Sequence, residues 1–527
     1  MAVRELDVAI VGGGVSGVWC GWRLTGDTAG PGRRRRVGIF ELSDRVGGRL
    51  LSVRLPGLPD VACELGGMRY MSTQQLVPWL VEKELNLPRM EAPVALKENI
   101  AYLRRRRLHV SDLGTAKKLP YHLEPHERKH PDKLLAEAID KMAPGAKNKV
   151  GEQLRKAVQS ARFDGRPLYE QGFWNILART MSSEAFRYAQ EAGGYDCTQL
   201  NWNAAETVVL DADFTPTVQF SRVADGYEDV PRQLADRFLD QGGELHLGHA
   251  VRSVDAVKLA DGSKGVALGV ENIHTGRRRI VRARSAILAM PRRSLELLEE
   301  SGPVLGDPGF RKLLTTVTPI PLFKAFVAYH EPWWETLGIT SGRSTTDLPL
   351  RQVYYWASTP KQNSVLMATY DDTLNVGFWQ GLAGDERQYG LELDHLPKRA
   401  RDRIRATRVD DRWMAHKAPK ALAEEVHRQL VEMHGVHDAP RPYAAVYHDW
   451  IGDPFGGGVN FWNIGVRSWR VIPKMAHPVP SVPVHVCGEA YSDSQGWVEG
   501  ALRSAEIVLT KHLGLAKIPL PKPAKAS

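Results

Sequence analysis

Near the start of the chain, glycines crowd a short segment whose flanks resemble a strand and a helix. Within six positions stand Gly12, Gly13, Gly14 and Gly17. An apolar run at 8–11 precedes them, and apolar residues at helical spacing, from Val15 to Trp22, follow them. At such a strand-to-helix turn the backbone can approach a ligand closely, and the first N–H groups of the helix attract an anion. The segment therefore predicts an anion site.

Three more segments carry related chemistry. A second apolar strand at 36–40 ends at Glu41, where a carboxylate can accept a hydrogen bond from a ribose hydroxyl. Such a residue usually follows the glycines by about 20 positions. The gap is longer here because of the loop at 25–36, which we interpret as a surface insertion. Arg45–Arg49 (RVGGR) and Glu64–Arg69 (ELGGMR) each combine two glycines with arginine, which suits phosphate or carboxylate. In this order the segments predict a dinucleotide-binding unit.

Several charged residues occur in or beside apolar segments. Lys324, in PLFKAF, lies in an apolar strand, where a lone ammonium is costly to bury and therefore favours a site role. Asp372, in MATYDD, and Asp211 and Asp213, in VLDADF, are carboxylates that would need a partner such as lysine or arginine if buried. A solvated loop is the alternative for each. In YHLEPHERKH, Pro125 interrupts the helical spacing of the histidines, and we expect a polar loop and no metal site.

The composition is that of a globular protein with two or three domains. The 527 residues are 43% hydrophobic and 25% charged, and no apolar run reaches the length of a membrane helix. The opening MAVRELDVAI leaves no room for a signal peptide, and four scattered cysteines fit a reducing compartment, so we expect a cytoplasmic protein. The net charge is +9, but the basic runs at 33–36, 104–107 and 277–279 lack interleaved aromatic residues. We expect solvated hairpins and no nucleic-acid partner.

The elements that must position these residues alternate between helical and strand-rich segments. The pattern is helical from about residue 120 to 210, with apolar faces at 134–142 and 173–177. Strands are expected at 244–259 and 284–291, followed by a strand-rich segment at 319–380 and one long helix. The chain closes with the strand VPVHVCGEA and a helix, which we expect to pack beside the first unit. The predicted class is α/β with mixed α+β character.

At these residues the chain resembles the flavin amine oxidase family. The similar segments are GGGVSG, Glu41, RVGGR and GGMR near the start, and CGEAYSDSQGWVEGALRSAE near the end. The L-amino-acid oxidase branch is closer still, since AGGYDCTQLNWNAAE, GRSTTDLPLRQVYYW and the Gly496–Trp497 pair resemble that branch. The resemblance covers nearly the whole chain and is weakest in the helical segment and at 25–36.

The resemblance implies three domains. They are a Rossmann-like, doubly wound FAD-binding domain, a mixed-sheet substrate-binding domain and a helical insert. We assign residues 1–70, 222–290 and 475–515 to the first, 71–118 and 291–474 to the second, and 119–221 to the third, with a disordered tail at 516–527. A homodimer is also implied.

FAD, bound non-covalently, is the implied cofactor. Glu41 would bind the adenosine ribose, the backbone at Val251 would meet the adenine, and Arg49 would line the ring or its phosphates. Glu489 would bond the ribityl or pyrophosphate region, and Val498 would meet the polar edge of the flavin. The implied cofactor residues are Gly12, Gly14, Val15, Ser16, Gly17, Glu41, Arg49, Gly66, Gly67, Met68, Arg69, Val251, Gly488, Glu489, Gly496, Trp497 and Val498.

Substrate residues are implied in the same way. Arg69 resembles the branch's carboxylate-binding arginine, and Tyr370 resembles the tyrosine that donates its hydroxyl to the same carboxylate. Gly496 would offer its carbonyl to the substrate amine, and Trp497 would form a wall of the reacting centre. Lys324 corresponds to a lysine that holds a water near the flavin. A simple amine has no carboxylate for Arg69 to bind.

One position departs from the branch. Asp372 is acidic where the branch is apolar, in the region of the side-chain pocket to which Phe214 also belongs, and this favours lysine or arginine as substrate. The implied reaction is oxidative deamination of an L-amino acid by dioxygen, which yields a 2-oxo acid, ammonia and hydrogen peroxide. Three alternatives remain: an amine or polyamine oxidase, a flavin-dependent amino-acid 2-monooxygenase, and a non-catalytic FAD-binding protein.

Overall fold

The computed structural model describes residues 5–27, 34–214, 217–299, 302, 304–359 and 362–520. The strands are β1 (Leu6–Val11), β2 (Val37–Phe40), β3 (Ser52–Val53), β4 (Cys63–Glu64), β5 (Tyr70–Met71), β6 (Arg89–Glu91), β7 (Ile100–Leu103), β8 (Arg106–His109), β9 (Arg162–Phe163), β10 (Arg166–Pro167), β11 (Phe220–Val223), β12 (Glu244–His246), β13 (His249–Lys258), β14 (Lys264–Asn272), β15 (Arg278–Leu288), β16 (Val317–Ile320), β17 (Leu322–Tyr329), β18 (Arg343–Thr346), β19 (Gln352–Ala357), β20 (Ser364–Asp372), β21 (Ala444–Asp449), β22 (Val459–Trp462) and β23 (Val484–Val486).

The α-helices alternate with these strands along the chain. They are α1 (Val15–Gly26), α2 (Leu76–Trp79), α3 (Pro131–Met142), α4 (Gly151–Ser160), α5 (Phe173–Thr180), α6 (Ser183–Gly193), α7 (Ala204–Asp211), α8 (Asp229–Asp240), α9 (Arg292–Glu296), α10 (Pro308–Leu314), α11 (Leu374–Ala383), α12 (Lys398–Ala406), α13 (Lys420–His434), α14 (Ser468–Met475) and α15 (Val498–Lys511).

The first large sheet contains the predicted strand, glycine turn and helix. Its strands run in the order β12, β2, β1, β15, β14, β13, and β23 also pairs with β15. β12, β2, β1, the end of β15 and β23 are parallel, whereas β13, β14 and β15 form an antiparallel meander. The four residues of β2 are all buried, as expected for a parallel strand covered on both faces. The Rossmann-like α/β prediction is therefore confirmed.

The second large sheet positions the charged residues of the middle of the chain. Its order is β21, β17, β20, β19, β18, β7, β8. β17 lies between β20 and β21 and pairs antiparallel with both. Lys324 on β17 is opposite Tyr370 on one side and His448 on the other. A small sheet of β5, β11 and β6 brings Phe220 opposite Met71, next to Arg69.

Helices α3 to α7 form the helical segment, as predicted. Its core contains Leu154, Phe173, Ile176 and Trp202, and it packs on Phe461 of β22. The strand-rich prediction for 319–380 is wrong at its end, because β20 stops at Asp372 and α11 begins at Leu374. The buried residues of α11 include Val376 and Trp379, which are spaced as one helix face. The division into three domains stays a prediction.

Other expectations can be located on this fold. The basic run at 104–107 spans the β7–β8 hairpin, and the run at 277–279 covers the end of the β14–β15 turn and the first two residues of β15. The expectations for the surface insertion and the tail fall partly outside the described residues, at 28–33 and 521–527. None of the helices in the described ranges combines the length and apolarity of a bilayer-crossing segment. No cluster of His, Cys, Asp and Glu in those ranges could hold a metal ion.

Candidate active site

The first glycine turn joins β1 to α1. Gly12 has a φ of +103°, and a Cβ there would lie 2.7 Å from the carbonyl oxygen of Ala289. At Gly17 a Cβ would lie 1.9 Å from the carbonyl oxygen of Gly12, so α1 packs directly on the turn. Val15 begins α1, and neither a capping side chain nor an acidic residue occupies its first turn. The first amides of α1, including that of Ser16, are therefore suited to an anion.

Glu41 lies beside this turn at the end of β2. Its Oε2 accepts a 2.5 Å hydrogen bond from the amide of Gly13, and its Oε1 accepts bonds from Ser43. The amide of His249 donates to the Glu41 carbonyl at 2.8 Å, which brings the start of β13 to the same edge. Val251 follows on β13, where the ladder has an irregularity. The predicted ribose and adenine residues therefore share the carboxyl end of the parallel strands.

The second and third glycine pairs extend the first turn into one surface, the glycine wall, which comprises residues 12–17, 47–49 and 66–69. The amide of Gly47 donates to the Gly13 carbonyl at 2.9 Å, so the RVGGR turn lies on the first turn. The amide of Gly67 in turn donates to the Arg49 carbonyl at 3.0 Å. At Gly66 a Cβ would lie 2.1 Å from that same oxygen, and Met68 is buried behind the segment. These contacts place residues 66–69 next to Arg49.

Some glycines of this wall face open space. A Cβ at Gly14 would lie 4.0 Å from its nearest neighbour, the Cα of Gly48. At Gly488 the nearest atom would be the carbonyl oxygen of Met290 at 3.6 Å, and at Gly496 it would be a side-chain carbon of Val459 at 3.8 Å. Protein atoms therefore do not fill the space next to these three glycines, whereas they pack closely against Gly12 and Gly17. The residues present therefore fit a phosphate-bearing, flat cofactor of the flavin type.

The closing segment completes the wall through Glu489. Its carboxylate accepts hydrogen bonds from Asn460, from the Gly496 amide at 2.8 Å and from Arg49 at 2.9 Å. Glu489 is buried, and four donor groups from these three residues contact its carboxylate, two at each oxygen. Val498 begins α15 immediately after Gly496 and Trp497, with no side-chain cap on the helix. In this structure Glu489 therefore holds Arg49 and the Gly496 segment together through its hydrogen bonds to both.

Arg69 lies in an aromatic cage. Its guanidinium stacks 4.3 Å from the ring centre of Phe220. It donates to the hydroxyl of Tyr354 at 3.3 Å and to that of Tyr195 at 3.4 Å. Within the described ranges Arg69 forms no ion pair. The Arg69 guanidinium is partly buried and contacts only tyrosine hydroxyls and aromatic rings of the described residues. It is therefore suited to bind an anion from outside the chain.

Tyr370 lies between Lys324 and Tyr195, and Tyr195 in turn contacts Arg69. The Tyr370 ring stands edge-on to Tyr195, with centroids 5.7 Å apart. Across the β17–β20 ladder, the Lys324 ammonium lies 4.6 Å from the centre of the Tyr370 ring. Lys324 donates to the carbonyl of Gly66 at 2.5 Å, so it touches the glycine wall as well. Burial lowers the pKa of Lys324 to about 7, although Glu64 opposes the shift.

Two further predicted residues, Trp497 and Phe214, line the solvent-facing side of the site around Arg69. The rings of Trp497 and Phe214 lie 6.2 Å apart, and Phe214 lies 6.2 Å from Phe220. Phe214 is 43% exposed, whereas Trp497 is half-buried. The aromatic path Trp497, Phe214, Phe220 therefore ends at Arg69. Arg69, Tyr370, Lys324, Phe214 and Trp497 were predicted separately. They form one connected group through Phe220 and Tyr195.

Asp372 lies two residues beyond Tyr370 and is buried. Its Oδ1 has no hydrogen-bond partner within the described chain, while the amide of Cys197 donates to the carboxylate. The neighbouring cation, Arg351, is ion-paired with Asp196 at 3.1 Å. Burial, reinforced by Asp196, raises the pKa of Asp372 to about 7. The solvated-loop alternative is therefore wrong for Asp372. Asp211, by contrast, is exposed on α7.

The sequence analysis missed Tyr195, Tyr354 and Phe220. Tyr195 precedes a short 3₁₀ turn at Asp196–Gln199, and Tyr354 is on β19. Both belong to segments that resemble the L-amino-acid oxidase branch, so a signal was present without a role for the individual tyrosines. Phe220 had no such signal, because its place depends on the pairing of β11 with β5.

Comparisons with known proteins agree with this geometry. The family model for flavin containing amine oxidoreductase matches residues 15–397 and 404–508. Achacin from Lissachatina fulica is 25% identical over 97% of this chain and 93% of its own length. For aplysianin-A from Aplysia kurodai the values are 26%, 97% and 90%. L-amino-acid oxidase from Mus musculus is 24% identical over 73% of this chain and 56% of its own length.

Solved structures share the fold. Putrescine oxidase bound to putrescine superposes with a TM-score of 0.66 and 18% identity, covering 97% of this chain and 99% of its own. Cyclohexylamine oxidase from Brevibacterium oxydans IH-35A has a TM-score of 0.65 and 19% identity, covering 96% and 98%. The family model covers most of the chain. The chain therefore belongs to the flavin-containing amine oxidoreductase family.

Proposed function

We propose that this protein catalyses the oxidative deamination of L-amino acids, uses non-covalent FAD, and favours basic side chains. The observation that carries the proposal is the Arg69 guanidinium, which forms no ion pair within the described chain and contacts Phe220, Tyr354 and Tyr195. An α-carboxylate would supply the missing anion, with bidentate geometry. A simple amine has no group that would do so.

The residues around Arg69 have complementary roles. Arg69 and the hydroxyl of Tyr370 bind and orient the carboxylate, so that the Cα–H is held in one direction. Trp497 and Phe214 exclude water from that side. A flavin held by the glycine turns, Glu41 and Arg49 would supply the two-electron redox chemistry between the amino acid and dioxygen, with hydrogen peroxide as the reduced product. A basic substrate side chain would pair with the Asp372 Oδ1 that lacks a partner among the described residues.

Lys324 supplies proton transfer. The substrate ammonium has to lose a proton before hydride leaves, and the imino acid product has to be hydrolysed by water. Because burial lowers the pKa of Lys324 to about 7, its Nζ can hold or release a proton near neutral pH at little cost. Nζ also contacts the glycine wall and the Tyr370 ring, so any water it binds would lie at the reacting centre.

Non-covalent attachment is supported by the thiols near the cofactor wall. The Sγ of Cys487, next to Gly488, faces the Sγ of Cys20 in the hydrophobic core. A flavin linked through this thiol would have to enter the core. Acid denaturation should therefore release free FAD into the supernatant.

A peroxide assay across the twenty L-amino acids and their D-forms tests the function. We expect activity with L-amino acids and greater catalytic efficiency for lysine or arginine than for leucine. Activity with cadaverine in place of lysine would identify an amine oxidase. An amide product without stoichiometric peroxide would identify a monooxygenase, and a yellow protein bleached by no amino acid would contradict catalysis.

Replacing Arg69 tests the carboxylate contact. In Arg69→Ala we expect a higher KM and lower kcat for amino acids, with an unchanged flavin spectrum, because the anion contact is lost while the glycine walls remain. Arg104→Ala is the matched control. Arg104 lies in the β7–β8 turn and forms an ion pair with Glu184 on α6. Unchanged kinetics of the Arg69 variant would remove the guanidinium from the site.

A further inference from the structure

Two buried thiols contact each other in the apolar cluster between α1 and the first large sheet. Cys20 is on α1 and Cys487 directly follows β23, and their sulfurs lie 4.0 Å apart although the residues are 467 positions apart. Their exposed fractions are 0% and 2%. Cys63 is equally buried at 0%, and no sulfur contact is found for it in the described structure. The cysteines in the structure are free thiols.

Each cysteine lies in or beside a segment that forms or completes the glycine wall, one at the start of the chain and one near its end. α1 starts at the first glycine turn, and Cys487 precedes Gly488 and Glu489. Cys20 and Cys487 belong to the same apolar cluster, in which α1 packs on α15. A covalent bond between the two sulfurs would therefore fasten the opening and closing segments of the flavin site to each other.

We propose that Cys20 and Cys487 are an oxidative modification site, at which hydrogen peroxide converts the two thiols to a disulfide. The step rests on the proposed function only for its oxidant, since oxidative deamination supplies peroxide beside this wall. A disulfide has an S–S distance of about 2.05 Å, so the sulfurs must approach by about 2 Å.

The chemistry balances within the pair. The thiolate of one cysteine attacks peroxide, the O–O bond breaks, and a sulfenic acid and one water result. The second thiol then displaces the hydroxyl as a second water and forms the S–S bond. Two electrons and two hydrogens leave the thiols, and one peroxide becomes two waters. Burial raises the pKa of the Cys20 thiol, which lowers its thiolate fraction and slows the attack on peroxide.

A disulfide here would restrict the unfolded chain and the separation of the two segments. We expect the oxidised holoenzyme to unfold at a temperature at least about 3 °C higher than the reduced form. Release of FAD should also slow, because α1 and the Gly488 turn can no longer separate. Dithiothreitol should reverse both effects.

The test uses the holoenzyme under three conditions. These are turnover with lysine, turnover with lysine and catalase, and reagent peroxide without substrate. After unfolding and alkylation, non-reducing peptide mapping should reveal a Cys20–Cys487 cross-link in the first and third conditions and little in the second. The cross-link should be absent from Cys20→Ala and Cys487→Ala, and retained in Cys63→Ala. Two single variants keep the test valid if one does not fold.

The outcomes separate the two proposals. If reagent peroxide leaves both thiols free for alkylation, or yields only sulfinic acids, the modification site is wrong whatever the catalytic activity. If reagent peroxide forms the cross-link but no amino acid generates peroxide, the site stands and the proposed function fails. A cross-link that forms without changing the unfolding temperature or FAD release would overturn the inferred fastening of the two segments.

Discussion

Tyr354 orients the guanidinium of Arg69 through a hydrogen bond. Its hydroxyl donates to Oε1 of Gln352 at 3.4 Å and accepts from Arg69 at 3.3 Å. Gln352 is fully buried and also accepts from Arg343. The Tyr354 hydroxyl thus has Gln352 as its acceptor, which leaves its oxygen to accept from the guanidinium and from Tyr195. The Tyr370 hydroxyl, with no hydrogen bond in the described structure, remains free to donate to a substrate.

Removing the Tyr354 hydroxyl should weaken substrate binding. Tyr354→Phe deprives Arg69 of one positioning contact, and we expect KM for amino acids to rise about fivefold, equivalent to about 1 kcal/mol for one hydrogen bond. The flavin content should not change. Tyr355→Phe is the control, because that hydroxyl bonds to Ser344 and His434 away from Arg69. Equal kinetics in the two variants would exclude Tyr354 from the binding site.

Lys324 should impose a pH dependence on the rate. Since burial lowers its pKa to about 7, Nζ is protonated below that pH and neutral above it. A step that uses the neutral amine should therefore accelerate as the pH rises through 7, and Lys324→Met should be slower and lose this rise. Leucine is the substrate of choice, because it has no side-chain charge for Asp372 to bind. A rise that persists in the variant would assign the titration elsewhere.

Glu64 is the group that could mimic this titration. Burial raises its pKa to about 7, and its carboxylate accepts hydrogen bonds from Ser52 and the Tyr227 amide. The other charged group acting on Lys324 is Arg69, which also lowers its pKa. The kinetic series therefore includes Glu64→Gln. If the rise disappears in Glu64→Gln and persists in Lys324→Met, Glu64 is the titrating group.

Asp372 should make side-chain selectivity depend on pH. Burial raises its pKa to about 7, so the carboxylate is neutral below that pH and charged above it. The ratio of kcat/KM for lysine to that for leucine should therefore increase as the pH rises through 7. In Asp372→Asn the ratio should be lower and flat. Asp371→Asn is the matched control, since Asp371 accepts from the indole of Trp379.

At the scale of elements, the start of α1 offers a test that separates protein packing from cofactor binding. Gly14 has a φ of −67°, which alanine can adopt, and its Cβ would lie 4.0 Å from the nearest protein atom. Gly14→Ala should therefore fold with nearly unchanged apoprotein stability. A methyl group in the cofactor space should nevertheless weaken FAD binding by tenfold or more, equivalent to about 1.4 kcal/mol.

The control for Gly14→Ala is an exposed glycine inside a helix, outside the segments that would contact the cofactor. Gly377 on α11 has no heavy atom within 4 Å of an added Cβ. Gly377→Ala should retain FAD affinity. FAD titration monitored by flavin fluorescence measures both variants, and equal affinities would show that the space at Gly14 is not the cofactor's.

Local patterns predicted elements far better than they predicted contacts between elements. The order of β1, the glycine turn, α1 and β2 follows from apolar runs and glycine spacing, which act over a few residues. The contact of Lys324 with Tyr370 depends on the register of β17 against β20, which no local pattern fixes. α11 was included in a strand-rich segment because its apolar run LNVGFWQGLA lacks a clear helical alternation.

At the scale of the whole molecule, the site is assembled from segments that are distant in sequence. Residues 12–17, 41–49 and 66–69 come from the first part of the chain, β17 and β20 from the middle, and 488–498 from the end. Family resemblance connected these segments before the structure did, because each segment carries its own motif. A homodimer, FAD as the specific flavin and a cytoplasmic location stay predictions.

Because one cofactor would contact all of these segments, its removal should destabilise the protein as a whole. A ligand that binds only the folded state stabilises it by about 2.7 kcal/mol at a free concentration 100 times its Kd. We expect the thermal midpoint of the apoprotein to rise progressively as FAD is added, and Gly14→Ala to require a higher FAD concentration for the same shift. The opening and closing segments, including α1 and α15, should gain the most protection from hydrogen exchange, since their contacts would be bridged directly. An identical midpoint and exchange pattern with and without FAD would mean that the chain holds these segments together without the cofactor.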